Sequence, residues 1–182
     1  GFMKFTPGPG LGGHCIPIDP YYLTWKAKEY GITTRFIELA GEINSKMPSY
    51  VIEKTIEALN EINLSLSASR VLVVGLAYKP NIDDIRESPT FAIFDLLKRH
   101  GCIFDYHDKF VPEIPNTREH PEYKGFKSVE LTSENLTKFD AVIISTNHEY
   151  IDYTKLLNES KLIIDTRNSY PGLKRSDKVI KA

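Results

Sequence analysis

Two side chains suited to covalent and acid–base chemistry lie four residues apart in Gly12-Gly13-His14-Cys15-Ile16-Pro17-Ile18-Asp19-Pro20. An ionised cysteine is a nucleophile that can hold a carbonyl carbon between two chemical steps. A carboxylate at Asp19 can orient water or a substrate hydroxyl. Both belong to the stretch from Pro7 to Pro20, which holds four of the eleven glycines (Gly8, Gly10, Gly12, Gly13) and four of the eleven prolines. Glycine allows positive φ and close approach to a ligand, and proline stiffens the path. A thiol on such a backbone reads as a positioned nucleophile; the competing reading is a small packing residue. Asp19-Pro20 also reads as a helix N-cap followed by proline at the first helical position. His14 adjoins Cys15, but neighbouring side chains on extended backbone face opposite ways, so His14 is read as structural or substrate-contacting rather than as a base.

The elements that must position these groups follow from the pattern. Tyr21 to Tyr30 suits a helix stopped by Gly31. From Thr34 to Asn60, Phe36, Leu39, Ala40, Ile43, Met47, Tyr50, Val51, Ile56 and Leu59 form one apolar stripe, with Pro48 expected to kink or divide the helix. A helix of that length is expected to join two domains or to pack against a second copy in a dimer. The boundary is placed at Leu64 to Ser69, dividing the chain into residues 1–66 and 67–182. Beyond it, strands at 70–75, 102–106, 140–145 and 161–165 alternate with helices, which predicts an α/β fold with a parallel, doubly wound sheet. Phe110 to Lys127, with three prolines, reads as a surface excursion.

In such sheets ligands sit beyond the carboxyl ends of the strands. Lys79, Arg86 and Arg167 follow those ends and could converge on a phosphate; each could equally be a solvated loop charge. The glycine loop resembles a dinucleotide fingerprint but neither follows a strand nor opens a helix. The first strand has that context yet offers only Gly75 before Leu76-Ala77-Tyr78, so this domain is not expected to hold a redox cofactor in the usual way. Cys102 falls in a strand and is assigned to the core. The five histidines and two cysteines have no zinc-ligand spacing, so no metal is expected.

With 41% hydrophobic residues, 26% charged residues and a net charge of −1, the 182-residue chain gives no support for nucleic-acid or membrane partners. Two distant cysteines make no disulfide framework, and a reducing cytoplasm is the default. The chain lacks an initiator methionine and is read as a fragment of something longer.

Four blocks in order resemble the nucleotide-sugar 6-dehydrogenases, the UDP-glucose and GDP-mannose dehydrogenase family. They are Gly12-Gly13-His14-Cys15 with Asp19; the long helix; Gly75-Leu76-Ala77-Tyr78-Lys79 with Asp84-Ile85-Arg86-Glu87-Ser88; and Asp165-Thr166-Arg167-Asn168. The resemblance implies the end of a central dimerisation domain followed by a degenerate Rossmann-like, UDP-binding domain. The main NAD-binding domain would lie outside this chain. Gly-Gly-His-Cys-Ile-Pro-x-Asp-Pro is similar to the branch acting on UDP-N-acetylglucosamine or UDP-N-acetylmannosamine.

The implied reaction is a two-step oxidation of the sugar C6 alcohol to a carboxylate with NAD, through a thiohemiacetal and thioester on Cys15. Such an enzyme would make polysaccharide precursors. The resemblance implies catalytic roles for Cys15 and Asp19 and substrate contacts at Phe5, Gly8, Gly10, Gly12, Gly13, Tyr78, Lys79 and Arg86. Arg167 would contact the nucleotide or cofactor. It also implies a homodimer through the long helix, and a fragment inactive by itself. Three rival readings are a UDP-glucose or GDP-mannose enzyme, a non-catalytic nucleotide-sugar or dimerisation module, and a cysteine hydrolase pairing Cys15 with His107 or His148.

Overall fold

The computed structural model describes residues 6–173 and 178–182. After the glycine loop come α1 (Asp19–Glu29) and α2 (Arg35–Glu61). An alternating unit follows: β1 (Arg70–Val74), α3 (Pro89–Arg99), β2 (Ile103–His107), α4 (Ser133–Leu136), β3 (Ala141–Ile144), α5 (Tyr153–Glu159), β4 (Ile163–Asp165) and β5 (Val179–Lys181). All pairings are parallel, in the order β2-β1-β3-β4-β5. The α/β, doubly wound expectation holds. The short edge strand β5 was not anticipated: three residues beyond a polar turn carry too little pattern to read.

Strand residues alternate between two cores, as the two-residue period requires. Val71, Val73, Ile143 and Ile164 face α2 and α3, where they meet Leu59, Phe91 and Phe94. Leu72, Val74, Val142 and Ile144 face α4 and α5 with Leu136, Leu156 and Tyr170. Side-chain caps start the later helices: Ser88 accepts from the Thr90 N–H, Thr132 from Asn135 and Asp152 from Lys155.

Three local expectations need correction. Pro48 does not divide the long helix: α2 runs through it unbroken for 27 residues. Proline leaves the Asn44 carbonyl without its helical donor, and packing of the second half of α2 on the sheet maintains the helix. The apolar stripe therefore splits. Val51, Ile52, Ala58 and Leu59 are buried, whereas Phe36, Leu39 and Ile43 are exposed. Asp19 is not the N-cap of α1 but its first residue; Ile18 holds the cap position with no side-chain bond. The 110–127 segment is not merely a surface excursion, for Val111, Ile114 and Tyr123 are buried in it. Tyr106 donates its hydroxyl to the Val111 and Phe126 carbonyls at 2.9 and 3.2 Å, tying the segment to the sheet.

Candidate functional site

The glycine loop lies across the carboxyl ends of the strands, and three of its glycines stand where a Cβ would meet a neighbouring side chain. A Cβ at Gly8 would overlap the Arg167 guanidinium, and one at Gly12 would overlap the Tyr78 side chain. Gly13, at φ +88°, would place a Cβ 3.0 Å from the Tyr78 ring. The Gly13 N–H donates to the Arg86 carbonyl at 2.9 Å, joining the loop to the 76–88 segment. Gly10 packs on Pro89 and lies near the Asn44 carbonyl, whose usual helical donor Pro48 cannot supply. Gly10, Leu11, Asn44 and Ser88 line a groove of about 660 Å³ between the loop, α2 and α3.

Cys15 is exposed at the end of this loop, and its carbonyl accepts the Ile18 and Asp19 N–H groups at 3.1 and 2.8 Å. Those bonds start α1 immediately after the thiol. They put Asp19 one helical turn from Cys15, with its carboxylate exposed and making no hydrogen bond among the described residues. A carboxylate spared from capping is available to water or a hydroxyl. His14 is also exposed. Phe5 lies outside the described residues.

The three candidate cations differ in availability. Arg86 is exposed and forked onto Asp84, Nε to Oδ1 at 3.0 Å and a terminal nitrogen to Oδ2 at 2.6 Å. That pairing raises the Arg86 pKa, with a smaller contribution from nearby Cys15, and holds the Asp84 carboxyl below the usual range. Arg86 therefore reaches the site already neutralised. Lys79 is exposed, with its ammonium 5.9 Å from the Tyr78 ring centroid. Arg167 is half-buried, donates Nε to the Ser145 carbonyl at 2.6 Å and has no carboxylate partner among the described residues. Burial pulls its pKa down to about 10, which leaves it charged at neutral pH.

Asp165 sets the direction of Arg167. Its buried carboxylate accepts the N–H groups of Arg167, Ser169 and Tyr170 and the Lys181 ammonium. The strand missed in the sequence thus supplies the lysine that neutralises the keystone of this turn.

The β1 exit does not fit a dinucleotide pyrophosphate. Leu76 and Ala77 N–H, the donors such a group would take, both donate to Asp108 Oδ2, at 2.8 and 3.0 Å. A Cβ at Gly75 would overlap Thr146, so the turn is packed solid. Burial pushes the Asp108 carboxyl up, but bonds from His148, Ala77 and Leu76 outweigh it and hold it low. Asp108 and His148 are both fully buried; neither role was evident from sequence spacing.

The same geometry removes support for a Cys–His pair. His148 is spent on Asp108 and Asn81, and His107 on Val129 and Tyr150. Asp95, His120 and Glu122 also gather, with one ligand atom each within 4.8 Å of one another, across a gap in sequence that spacing rules do not cover. Asp95 there accepts the Tyr123 hydroxyl at 2.7 Å.

Comparison with known proteins agrees with this architecture. The UDP-binding domain of the UDP-glucose/GDP-mannose dehydrogenase family matches residues 72–172, and the family's central domain matches residues 1–46. The chain belongs to the UDP-glucose/GDP-mannose dehydrogenase family. It is 33% identical over 172 residues to a UDP-N-acetyl-D-mannosamine dehydrogenase of Methanococcus vannielii, covering 90% of this chain and 36% of the relative. It is 30% identical over 148 residues to a UDP-N-acetyl-D-glucosamine 6-dehydrogenase of Salmonella typhi, covering 81% and 33%. A solved UDP-D-ManNAc dehydrogenase of Pyrococcus horikoshii superposes with a TM-score of 0.78 at 28% identity, over 99% of this chain and 40% of that one. The chain thus spans about a third of the length of the curated relatives it matches.

Proposed function

We propose that this chain is the substrate-holding and covalent-catalysis portion of a nucleotide-sugar 6-dehydrogenase acting on a UDP-N-acetylhexosamine, UDP-N-acetylmannosamine or UDP-N-acetylglucosamine. The observation that carries the proposal is the Arg167 guanidinium, charged, without a carboxylate partner among the described residues and packed on Gly8 of the loop that ends in Cys15. A cation held this way favours an anion such as a diphosphate, because a second charge offsets its desolvation. The names of the two curated relatives support the choice of sugar.

Each residue then has a task. Arg167 and Lys79 receive the diphosphate, while Arg86, already balanced by Asp84, fixes the 84–88 turn and contributes to the site's rim. Gly8, Gly10, Gly12 and Gly13 let the loop follow the sugar closely, with Tyr78 as the floor beneath Gly12 and Gly13. Phe5 belongs with them as a contact to the base or sugar. The Cys15 thiolate adds to the C6 aldehyde and retains it between oxidations, and Asp19 orients the water that releases the acid. NAD, held on a part of the protein other than this sheet, supplies the hydride acceptor.

With these roles go a division at residues 66 and 67, a homodimer formed through the exposed half of α2, a cytoplasmic setting and a product used for polysaccharide synthesis. No helix of the described residues is long and apolar enough to cross a membrane. The test is Cys15→Ala in the whole enzyme. Sugar-acid formation should be abolished while UDP binding persists, and acid formation at the wild-type rate would overturn the proposal.

A further inference from the structure

We infer that Asp108 and His148 are positioning residues for the candidate site, a buried pair that stands in for a nucleotide phosphate at the β1 exit and so fixes the loop beneath Gly12 and Gly13. The Asp108 carboxylate sits in the nest of N–H groups after β1, taking Leu76 and Ala77 on Oδ2 while Oδ1 accepts the Phe110 N–H at 2.9 Å. His148 bonds the same Oδ2 at 3.1 Å through Nε2. Its Nδ1 accepts the Asn81 N–H at 3.0 Å, which leaves Nε2 to donate to Asp108. Asn81 lies at φ +64°, a conformation that needs support, and its side-chain oxygen accepts the Glu149 N–H at 3.0 Å.

The two ends of the 76–81 loop are thereby clamped to one buried carboxylate. Between them is Tyr78, whose N–H donates to the Asp84 carbonyl and whose ring carries Gly12 and Gly13. From there the Gly13 N–H to Arg86 bond completes a path from the nest to the residue two before Cys15. A buried carboxylate is costly unless fully bonded, and packing alone would be served by an apolar side chain. What Asp108 provides is an anion of fixed position.

Amide exchange by NMR on this chain tests the pair. In Asp108→Gly, exchange at Leu76, Ala77, Asn81 and Gly13 should rise about tenfold or more, while Leu72 in β1 changes by less than about twofold. Sodium formate, against chloride at equal ionic strength, should restore protection at all four by reoccupying the nest. A uniform rise across β1 and β3, unchanged exchange at Asn81 and Gly13, or no response to formate would each overturn the inference. Should Asp108→Gly not fold, His148→Gln, which keeps an acceptor for Asn81 and a donor for Asp108, is compared with His148→Leu. Glutamine should preserve protection at Gly13 and leucine lose it; equal behaviour overturns the pair's role. The consequence for ligand rests on the function proposed above: UDP should bind Asp108→Gly about tenfold more weakly, with formate restoring affinity. Failure of the wild-type chain to bind UDP would overturn that function and leave the exchange result to decide the positioning.

Discussion

The guanidinium of Arg167 occupies the space beside the α-carbon of Gly8 where any other residue would carry its Cβ. One end of the chain's most glycine-rich loop is therefore shaped around a cation from the far end of the sheet. At the other end Cys15 is exposed, and between them Tyr78 supports Gly12 and Gly13. The loop is a strap between a charge and a thiol.

The two thiols should separate cleanly. Cys102 is buried, bonded to the Ser69 carbonyl at 3.4 Å, and pushed up to about 11 by burial. Ellman's reagent at mildly alkaline pH should label Cys15 quickly in the folded chain and Cys102 only on denaturation. Mass spectrometry after partial labelling reads the site; modification of Cys102 in the native protein would contradict its placement.

Acid should act through Asp108 and Asp84. Both carboxyls are held below their ordinary value of 3.8, so the folded state binds protons less readily than the unfolded chain. Their contribution is complete above that value and is lost as pH falls through the lower folded pKa values. Thermal melts of Asp108→Asn should start lower at neutral pH and fall less steeply than wild type below pH 3.8. An acid limb as steep as wild type would show that Asp108 does not titrate with unfolding.

Phe94 is the centre of the larger core. Its ring meets Phe104 at 5.0 Å, Tyr123 at 5.4 Å, Tyr106 at 6.0 Å and Phe126 at 6.1 Å, and it is fully buried. Phe94→Ala should cost about 3–5 kcal/mol in denaturant melts. Because these partners include Tyr123 and Phe126, the 110–127 segment should become protease-sensitive in the same variant.

The parts of the candidate site that were legible in sequence are those whose chemistry is local. Cys15 and Asp19 share one turn, Gly75 ends its strand, and alternating strands and helices announce a parallel sheet. Long-range partnerships were not legible. Asp108 filling the β1 nest, and Lys181 neutralising Asp165, each depend on register across neighbouring strands. Asp84 pairing with Arg86 spans only two residues, yet nothing in its pattern separates a fork from two solvated charges. Asp19 was misread as a cap because Asp-Pro is a helix-start signal, while the Cys15 carbonyl already accepts the first N–H groups of α1.

Binding of UDP to this chain, followed by calorimetry in wild type, Arg167→Ala and Gly8→Ala, tests the central claim most directly. Wild type should bind one equivalent. Arg167→Ala should weaken binding roughly ten- to a hundredfold, the loss expected for a hydrogen bond to a charged group. Gly8→Ala should lose a comparable amount by displacing the guanidinium, with little change in melting temperature because Gly8 has no positive φ. Absence of UDP binding by the folded wild-type chain, or unchanged affinity in both variants, would contradict the assignment of this loop and Arg167 to the nucleotide.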